Sequence, residues 1–317
     1  MIVSSAEQGF SQSLKGILFM LASAVTFSAM SGIVRHLAGS GEVHAFEIAF
    51  FRNFFGFLMF IPVLMRVGTG PLKTEKLSLL GVRSICNGIS MCLFFLGLAY
   101  MPLVEVTALN FTIPLFVTIG AVLFLRERLG VARTLSLIVG FAGALIILQP
   151  GREIIGFGAI LVLLSAAIWA VAVIDIKVLS RTESSLTITI YGVLFNAGIT
   201  LLFAAFVWTW PTWEQLGWLV GVGIFGTLGH LLFAQALKLA DASLISAFDF
   251  TKMFWASLIG YAFFAEVPQL TTWLGAAVIF ASATYITWSE RQADKKAERA
   301  RKRAEQAPVE PAARPAE

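Results

Sequence analysis

The chain has 317 residues, 58% of them hydrophobic and 13% charged, where a soluble domain has roughly half and about a quarter, so nearly all of it belongs in lipid. The formal net charge of +4 does not point to nucleic acid, because the basic residues gather in connections and in the C-terminal tail. Cys86 and Cys92 sit too far apart on one helix to bridge each other and read as small packing residues.

Runs of roughly twenty apolar residues give ten predicted spans, centred near Val25, Phe55, Ile89, Pro114, Val139, Ala167, Phe195, Gly226, Phe254 and Ile279. Met1 to Ser13 has no basic start of a signal peptide, and the apolar run after Lys15 is too long for a signal core. It is expected to remain as the first span, Leu14 to Leu37, with 1–13 as a short cytoplasmic segment. The second span starts at Ala45 or Phe46. The connection after it carries Arg66, Lys73 and Lys76 and faces the cytoplasm by the positive-inside rule, as does the one with Arg126, Arg128 and Arg133.

Later in the chain the bias inverts. Lys177 and Arg181 lie between the sixth and seventh spans and Lys238 between the eighth and ninth, whereas Trp208 to Gln215 and Ala265 to Leu270 contain no Lys or Arg. Trp208, Trp210, Trp213 and Trp218 fit an outer aromatic belt. The tail, 290–317, is basic from Arg291 to Arg303 and then rich in Pro, Ala and Glu; it is expected to be disordered and cytoplasmic.

The spans repeat. Leu98 to Glu127 aligns without a gap to Leu237 to Glu266, with Ala108, Phe111, Thr112 and Phe124 opposite Ala247, Phe250, Thr251 and Phe263, and Asn110 opposite Asp249. Leu135, Ala142, Ala144 and Ile147 continue the register opposite Leu274, Ala281, Ala283 and Ile286. At a slightly different offset, Gly16, Leu21, Ser23, Ala24 and Leu37 match Gly158, Leu163, Ser165, Ala166 and Leu179. Two homologous halves, 14–149 and 155–289, follow. Five spans per half place equivalent loops on opposite sides, in agreement with the charge rule. The fold class is therefore all-α, a polytopic membrane protein of ten transmembrane helices in two inverted five-helix repeats.

An ionisable side chain in hydrocarbon costs roughly 2.5 to 3.5 kcal/mol on insertion scales and needs a reason. Glu47, Glu105 and Asp175 lie near predicted span ends and are expected to snorkel or stay hydrated. Arg52 is deeper, about 9 Å along its helix, and takes its partner from another helix or from the substrate. Asp249 and Lys252 share one face of the ninth span: a neutralised structural pair on one reading, substrate or proton ligands in a polar cavity on the other. The equivalent Asn110 is also polar. His230 can change charge near neutral pH or serve as a hydrogen-bonded packing residue. Trp169 and Trp255 offer faces for a planar ligand.

Pro114 is expected to kink the fourth span, and because Met253 is its counterpart the halves need not bend alike. Gly217, Gly221, Gly223, Gly226 and Gly229 bare one surface of the eighth span for close helix contact. No phosphate loop, paired metal-binding His motif, Asp-rich diphosphate motif or Ser nucleophile elbow occurs, so ATP-driven transport and most membrane enzymology are disfavoured, and no cofactor or metal is expected.

The inverted five-helix halves, with Phe111 to Pro114 in one and Phe248 to Phe250, Glu266 and Pro268 in the other, resemble the drug/metabolite transporter superfamily, EamA type, over about Leu14 to Ser289. His44 to Arg52 and Phe111 to Pro114 are similar to segments of bacterial S-adenosylmethionine uptake carriers. The resemblance implies a secondary carrier of the bacterial inner membrane, both termini cytoplasmic, with a small-molecule substrate bound between the halves and alternating access. Its implied cargo is S-adenosylmethionine, riboflavin or another small metabolite, with amino-acid export or lipid flipping as the alternative; protons or a counter-substrate are the coupling partners. The substrate-binding residues expected to reach the cavity are Arg52, Asp249, Lys252, His230, Trp169 and Asn110, with Arg52 on a carboxylate and Asp249 on a cationic or protonatable group.

Overall fold

The computed structural model describes residues 2–68, 70, 74–125, 131–149, 156–179, 182–239, 245 and 248–306. In chain order the helices are α1 (Ile2–Gly39), α2 (Ala45–Val67), α3 (Leu77–Tyr100), α4 (Leu103–Asn110), α5 (Ile113–Leu125), α6 (Val131–Leu148), α7 (Phe157–Leu179), α8 (Ser185–Ala204), α9 (Trp213–Leu239), α10 (Thr251–Phe264) and α11 (Leu270–Gln306), and no strand occurs among the described residues. Seven helical stretches are long and apolar enough to cross a bilayer, α4 with α5 counting as one; Thr134–Leu148, Leu270–Ile286 and α10 are shorter apolar helices. Together they make the ten spans, and the protein is a polytopic all-α membrane protein of two inverted halves.

The inverted relationship is visible in the packing. α1 packs on α9 as its counterpart α7 packs on α3, and α2 meets α9 as α8 meets α3. Single hydrogen bonds repeat as well. Ser23 Oγ donates to the Gly229 carbonyl at 2.9 Å, and the equivalent Ser165 Oγ donates to the Ser90 carbonyl at 2.8 Å. Where α6 crosses α11, a methyl on Gly143 would lie 2.8 Å from the Gly275 carbonyl. At the exchanged positions, Ser282 Oγ donates to the Ser136 carbonyl. Each pair maps onto the other when the halves are swapped.

Both central spans are broken at the same place. α4 ends at Asn110 and α5 begins at Ile113; in the other half helical residues 248 and 249 precede a turn at Phe250 and the start of α10. Thr112 Oγ1 donates to the Leu109 carbonyl and Thr251 Oγ1 to the Phe248 carbonyl, both at 2.7 Å, satisfying acceptors that the break releases. Pro114 is thus not the cause of a one-sided kink: it is the second residue of α5, where its missing N–H and fixed φ are harmless. The half without a proline breaks equally.

The two ends of the bundle differ. At the end where α1 leaves and α2 enters, one large apolar cluster gathers Val34, Leu37, Ile48, Phe95, Leu98, Val104, Leu219 and Ile147. Towards the Lys76 end the buried apolar groups separate into Met20 with Ala236 and Ile245, and Leu80 with Leu179 and Ile188. Ties between segments distant in sequence close the first end. Arg35 Nε pairs with Glu266 at 3.1 Å, and Arg35 Nη1 donates to the Leu98 and Ala99 carbonyls. Leu103 N–H donates to Glu266 Oε2 at 2.8 Å, and Gln149 donates to Gln269 and Thr271.

Glu47 belongs to the same closure. His44 caps α2 in a reciprocal box with Glu47, and Glu47 also accepts from Thr209 N–H at 2.7 Å. Its side chain is fully buried, so it neither snorkels nor stays hydrated; three backbone and side-chain donors replace the water. The tail departs from expectation too. α11 runs on to Gln306 because Glu290 to Gln306 is composed of Ala, Glu, Lys, Arg and Gln with one Asp, nearly all strong helix formers. Residues 307–317 lie outside the described part, as do Arg126, Arg128 and Arg181.

Candidate substrate-binding site

The breaks in the two central spans lie on the axis that relates the halves: Phe111 and Phe250, equivalent residues, meet with ring centroids 5.3 Å apart. Asp249 is the last residue before the break on one side, and its counterpart Asn110 is the last helical residue on the other, half-buried. From the first turn of α10, Lys252 Nζ returns to Asp249 Oδ1 at 2.5 Å. The pair keeps 23% and 27% of the two side-chain surfaces accessible in the middle of the span, so it borders open space rather than being sealed in the core. Lys252 Nζ also stands 5.0 Å from the centre of the Phe27 ring and 5.9 Å from that of Phe233, close enough for both faces to stabilise the cation.

His230 meets the edge of the same Phe27 ring, centroids 4.9 Å apart, and is exposed although it lies far from either end of α9. α1, α9 and α10 therefore bring His230 and Lys252, the latter paired with Asp249, to one phenylalanine. Close approach makes this possible: a methyl on Gly229 would stand 3.0 Å from Thr26 Oγ1 and 3.1 Å from the Phe27 ring, and one on Gly226 would stand 3.0 Å from Arg52 Nε. Gly223 and Gly226 press α9 on α2 in the same way, as their spacing suggested, while Gly217 faces open space.

Arg52 lies on the α2 side of Gly226, 7% exposed. Its Nη1 donates to Asn53 Oδ1 at 3.1 Å and its Nε has no acceptor. Among the described residues no carboxylate pairs with it. Asn53 in turn donates to the Ala49 carbonyl and to Met91 sulfur. Trp169 is half-buried on α7 at the position equivalent to Phe27, so the six residues divide between the two faces of the central axis instead of forming one cluster: His230, Asp249, Lys252 and the neighbouring Arg52 on one side, Trp169 and Asn110 on the other.

Sequence reasoning missed two groups. Arg35 and Glu266 carry no site reading in the sequence, and their pairing joins α1 to the connection after α10, segments distant in sequence. Arg83, only 8% exposed, lies a turn and a half into α3 and donates from Nη1 to the Ile188 carbonyl. Its spacing of four from Asn87 on a helix whose other polar residues are serines was the available signal. A separate apolar hollow of about 360 Å³ lies between α6 and α11, lined by Leu135, Val139 and Tyr285, and touches none of these charges.

Helices broken at the midplane between inverted halves, with charged side chains at the break, define a secondary carrier. The chain belongs to the EamA-like transporter family, whose model matches residues 14–149 and again 156–288. It is 31% identical to a riboflavin transporter of Rhizobium johnstonii over 90% of this chain and 95% of that one. It is 30% identical to an S-adenosylmethionine uptake transporter of Rickettsia bellii over 88% and 95%. A solved crystal structure at 16% identity superposes with a TM-score of 0.56 over 90% of this chain and 98% of that one, which shows the fold. The protein is a multi-pass membrane transporter.

Proposed function

We propose that this transporter takes up a metabolite that combines a planar ring with a charged pole, S-adenosylmethionine being the cargo that fits best, across the bacterial inner membrane by alternating access. The supporting observation is the unequal decoration of two equivalent faces. Phe27, His230, Asp249 and Lys252 line one; their counterparts Trp169, Met91, Asn110 and Ile113 make the other uncharged, with Asn110 as its one polar side chain. A ring on Trp169 and a cationic centre at Asp249, with a carboxylate on Arg52, match the two faces. A second reading, riboflavin, rests on the same Trp169 face and leaves the charges for coupling, by protons at Asp249 or His230 or by a counter-substrate.

With the basic connections on the cytoplasmic side, the packed end with Arg35 and Glu266 faces out, and both termini face in. The arrangement is that of a carrier closed to the outside. The two halves, 14–149 and 155–289, act as the rocking units, with 1–13 before them and the tail after. Moving cargo unchanged, and not catalysis, is the activity.

Purified protein is to be screened by thermal shift against S-adenosylmethionine, riboflavin and amino acids, since a ligand at a hundred times its dissociation constant stabilises by about 2.7 kcal/mol. The expected result is a shift with S-adenosylmethionine that is lost in Arg52→Ala and Asp249→Asn, together with uptake into proteoliposomes. Uptake that persists unchanged in both variants would overturn the site, and a shift with riboflavin alone would exchange the cargo.

A further inference from the structure

A second set of polar groups, three of them buried and Asp175 half-buried, lies between α3, α7 and α8. The packing of α3 on α8 corresponds to that of α9 on α2 under the exchange of halves, and each of these two interfaces buries one arginine against a glycine: Arg52 against Gly226, Arg83 against Gly192. The chain did not inherit the second arginine by duplication, because the two come from non-equivalent helices, α2 in one interface and α3 in the other. In both, Nε is buried without an acceptor. A buried donor of this kind is costly to leave unsatisfied unless something occupies it.

Around Arg83 the other unpartnered atoms are of complementary kind. Asp175 on α7 interacts electrostatically with Arg83, and its Oδ2 accepts no hydrogen bond. Ser84 Oγ, fully buried next to Arg83, and Asn196 Oδ1, one turn beyond Gly192 on α8 with its residue 2% exposed, are likewise without partners. Asn196 Oδ1 lies 3.9 Å from where a methyl on Gly88 would stand, so it belongs to the same α3–α8 seam. The inventory is one cationic donor and three oxygens able to accept. A carboxylate answers the first and an ammonium, with three donors and no acceptor, answers the others.

We propose that Arg83, Ser84, Asp175 and Asn196 form a second binding station, between the central break and the Lys76 end, for a cargo headgroup that carries a carboxylate and an ammonium on neighbouring atoms. Resting on the reading of the protein as a carrier, it narrows the cargo to molecules with an α-amino-acid moiety. Arg52 and Asp249 receive that moiety near the midplane; Arg83 and Asp175 receive it next, on the side where the apolar core divides into two patches.

The test uses the full-length protein and L-methionine as probe, against its amide, which lacks the carboxylate, and its deaminated acid, which lacks the ammonium. The expected result is a thermal shift with millimolar L-methionine and none with either analogue. Arg83→Gln, Asp175→Asn and the double variant R83Q/D175N should each weaken the probe at least tenfold. The double variant buries no unpaired charge and should fold, so it separates binding from stability. A shift that is absent in the wild type, equal for the three probes, or unchanged in the double variant overturns the station. Binding of the probe with these losses, but no uptake of any cargo by proteoliposomes, supports the station and overturns the transport cargo proposed above.

Discussion

Phe111 and Phe250 occupy the same position in the two halves and touch each other, ring centroids 5.3 Å apart. Only residues on the axis relating the halves can do both, so this contact marks where the halves turn against each other. An aromatic pair is worth about 0.5–1.5 kcal/mol beyond its burial. Phe111→Leu and Phe250→Leu are expected to couple by about 1 kcal/mol in a double-mutant cycle read by thermal denaturation. Additive losses would place the axis elsewhere.

The Arg35–Glu266 pair should be hard to replace by its mirror image. Exchange of the charges restores an ion pair, but Glu at 35 cannot donate to the Leu98 and Ala99 carbonyls and Arg at 266 cannot accept from Leu103 N–H. The pair is partly buried, and Arg35→Ala leaves its carboxylate and carbonyl partners unsatisfied, so it is expected to cost about 1–3 kcal/mol. The double exchange should recover less than half of that in a melting experiment. A cysteine placed at Ser28 should react faster with an impermeant reagent added from outside in Arg35→Ala than with Arg35 intact.

Glycine-to-alanine changes separate contact from propensity. A methyl on Gly143 meets the Gly275 carbonyl at 2.8 Å, backbone that cannot step aside, whereas one on Gly217 meets nothing within 4 Å. Gly143→Ala is expected to destabilise by about 1–3 kcal/mol and Gly217→Ala to be neutral or stabilise by up to about 1 kcal/mol. Melting temperatures that moved together would show that helix propensity, not the crossing, decides.

Glu47→Ala leaves the His44 and Thr209 N–H groups without their acceptor inside a closed end. It is expected to cost about 1–3 kcal/mol, with Glu47→Gln, which keeps one acceptor oxygen, losing clearly less. Equal losses would mean that charge at the start of α2, not hydrogen bonding, is what Glu47 supplies.

The spans and the repeat were legible because apolar length and internal register are local properties: Ser23 opposite Ser165 in the sequence became the same hydrogen bond twice. The symmetric break was not legible, since Pro114 offered a visible cause in one half and Phe250 with Thr251 none in the other. Arg83 was not legible because its depth depends on where α3 begins, and the helix starts at Leu77 without a side-chain cap to mark it. The closure of one end rests on Arg35 meeting Glu266 and Glu47 meeting Thr209, and no periodicity within a single helix announces contacts between such distant segments.

The crossing of α6 and α11 is its own partner: the patch with Ser136 and Gly143 fits the patch with Gly275 and Ser282, and the exchange of halves leaves the fit intact. An isologous surface of this kind is what joins subunits in a two-fold dimer. Two separate five-helix chains inserted with opposite orientations could associate through it without any covalent link. Coexpressed halves, divided at Pro150, are therefore expected to assemble into a working carrier, and the peptide bond at the junction to serve stoichiometry rather than architecture.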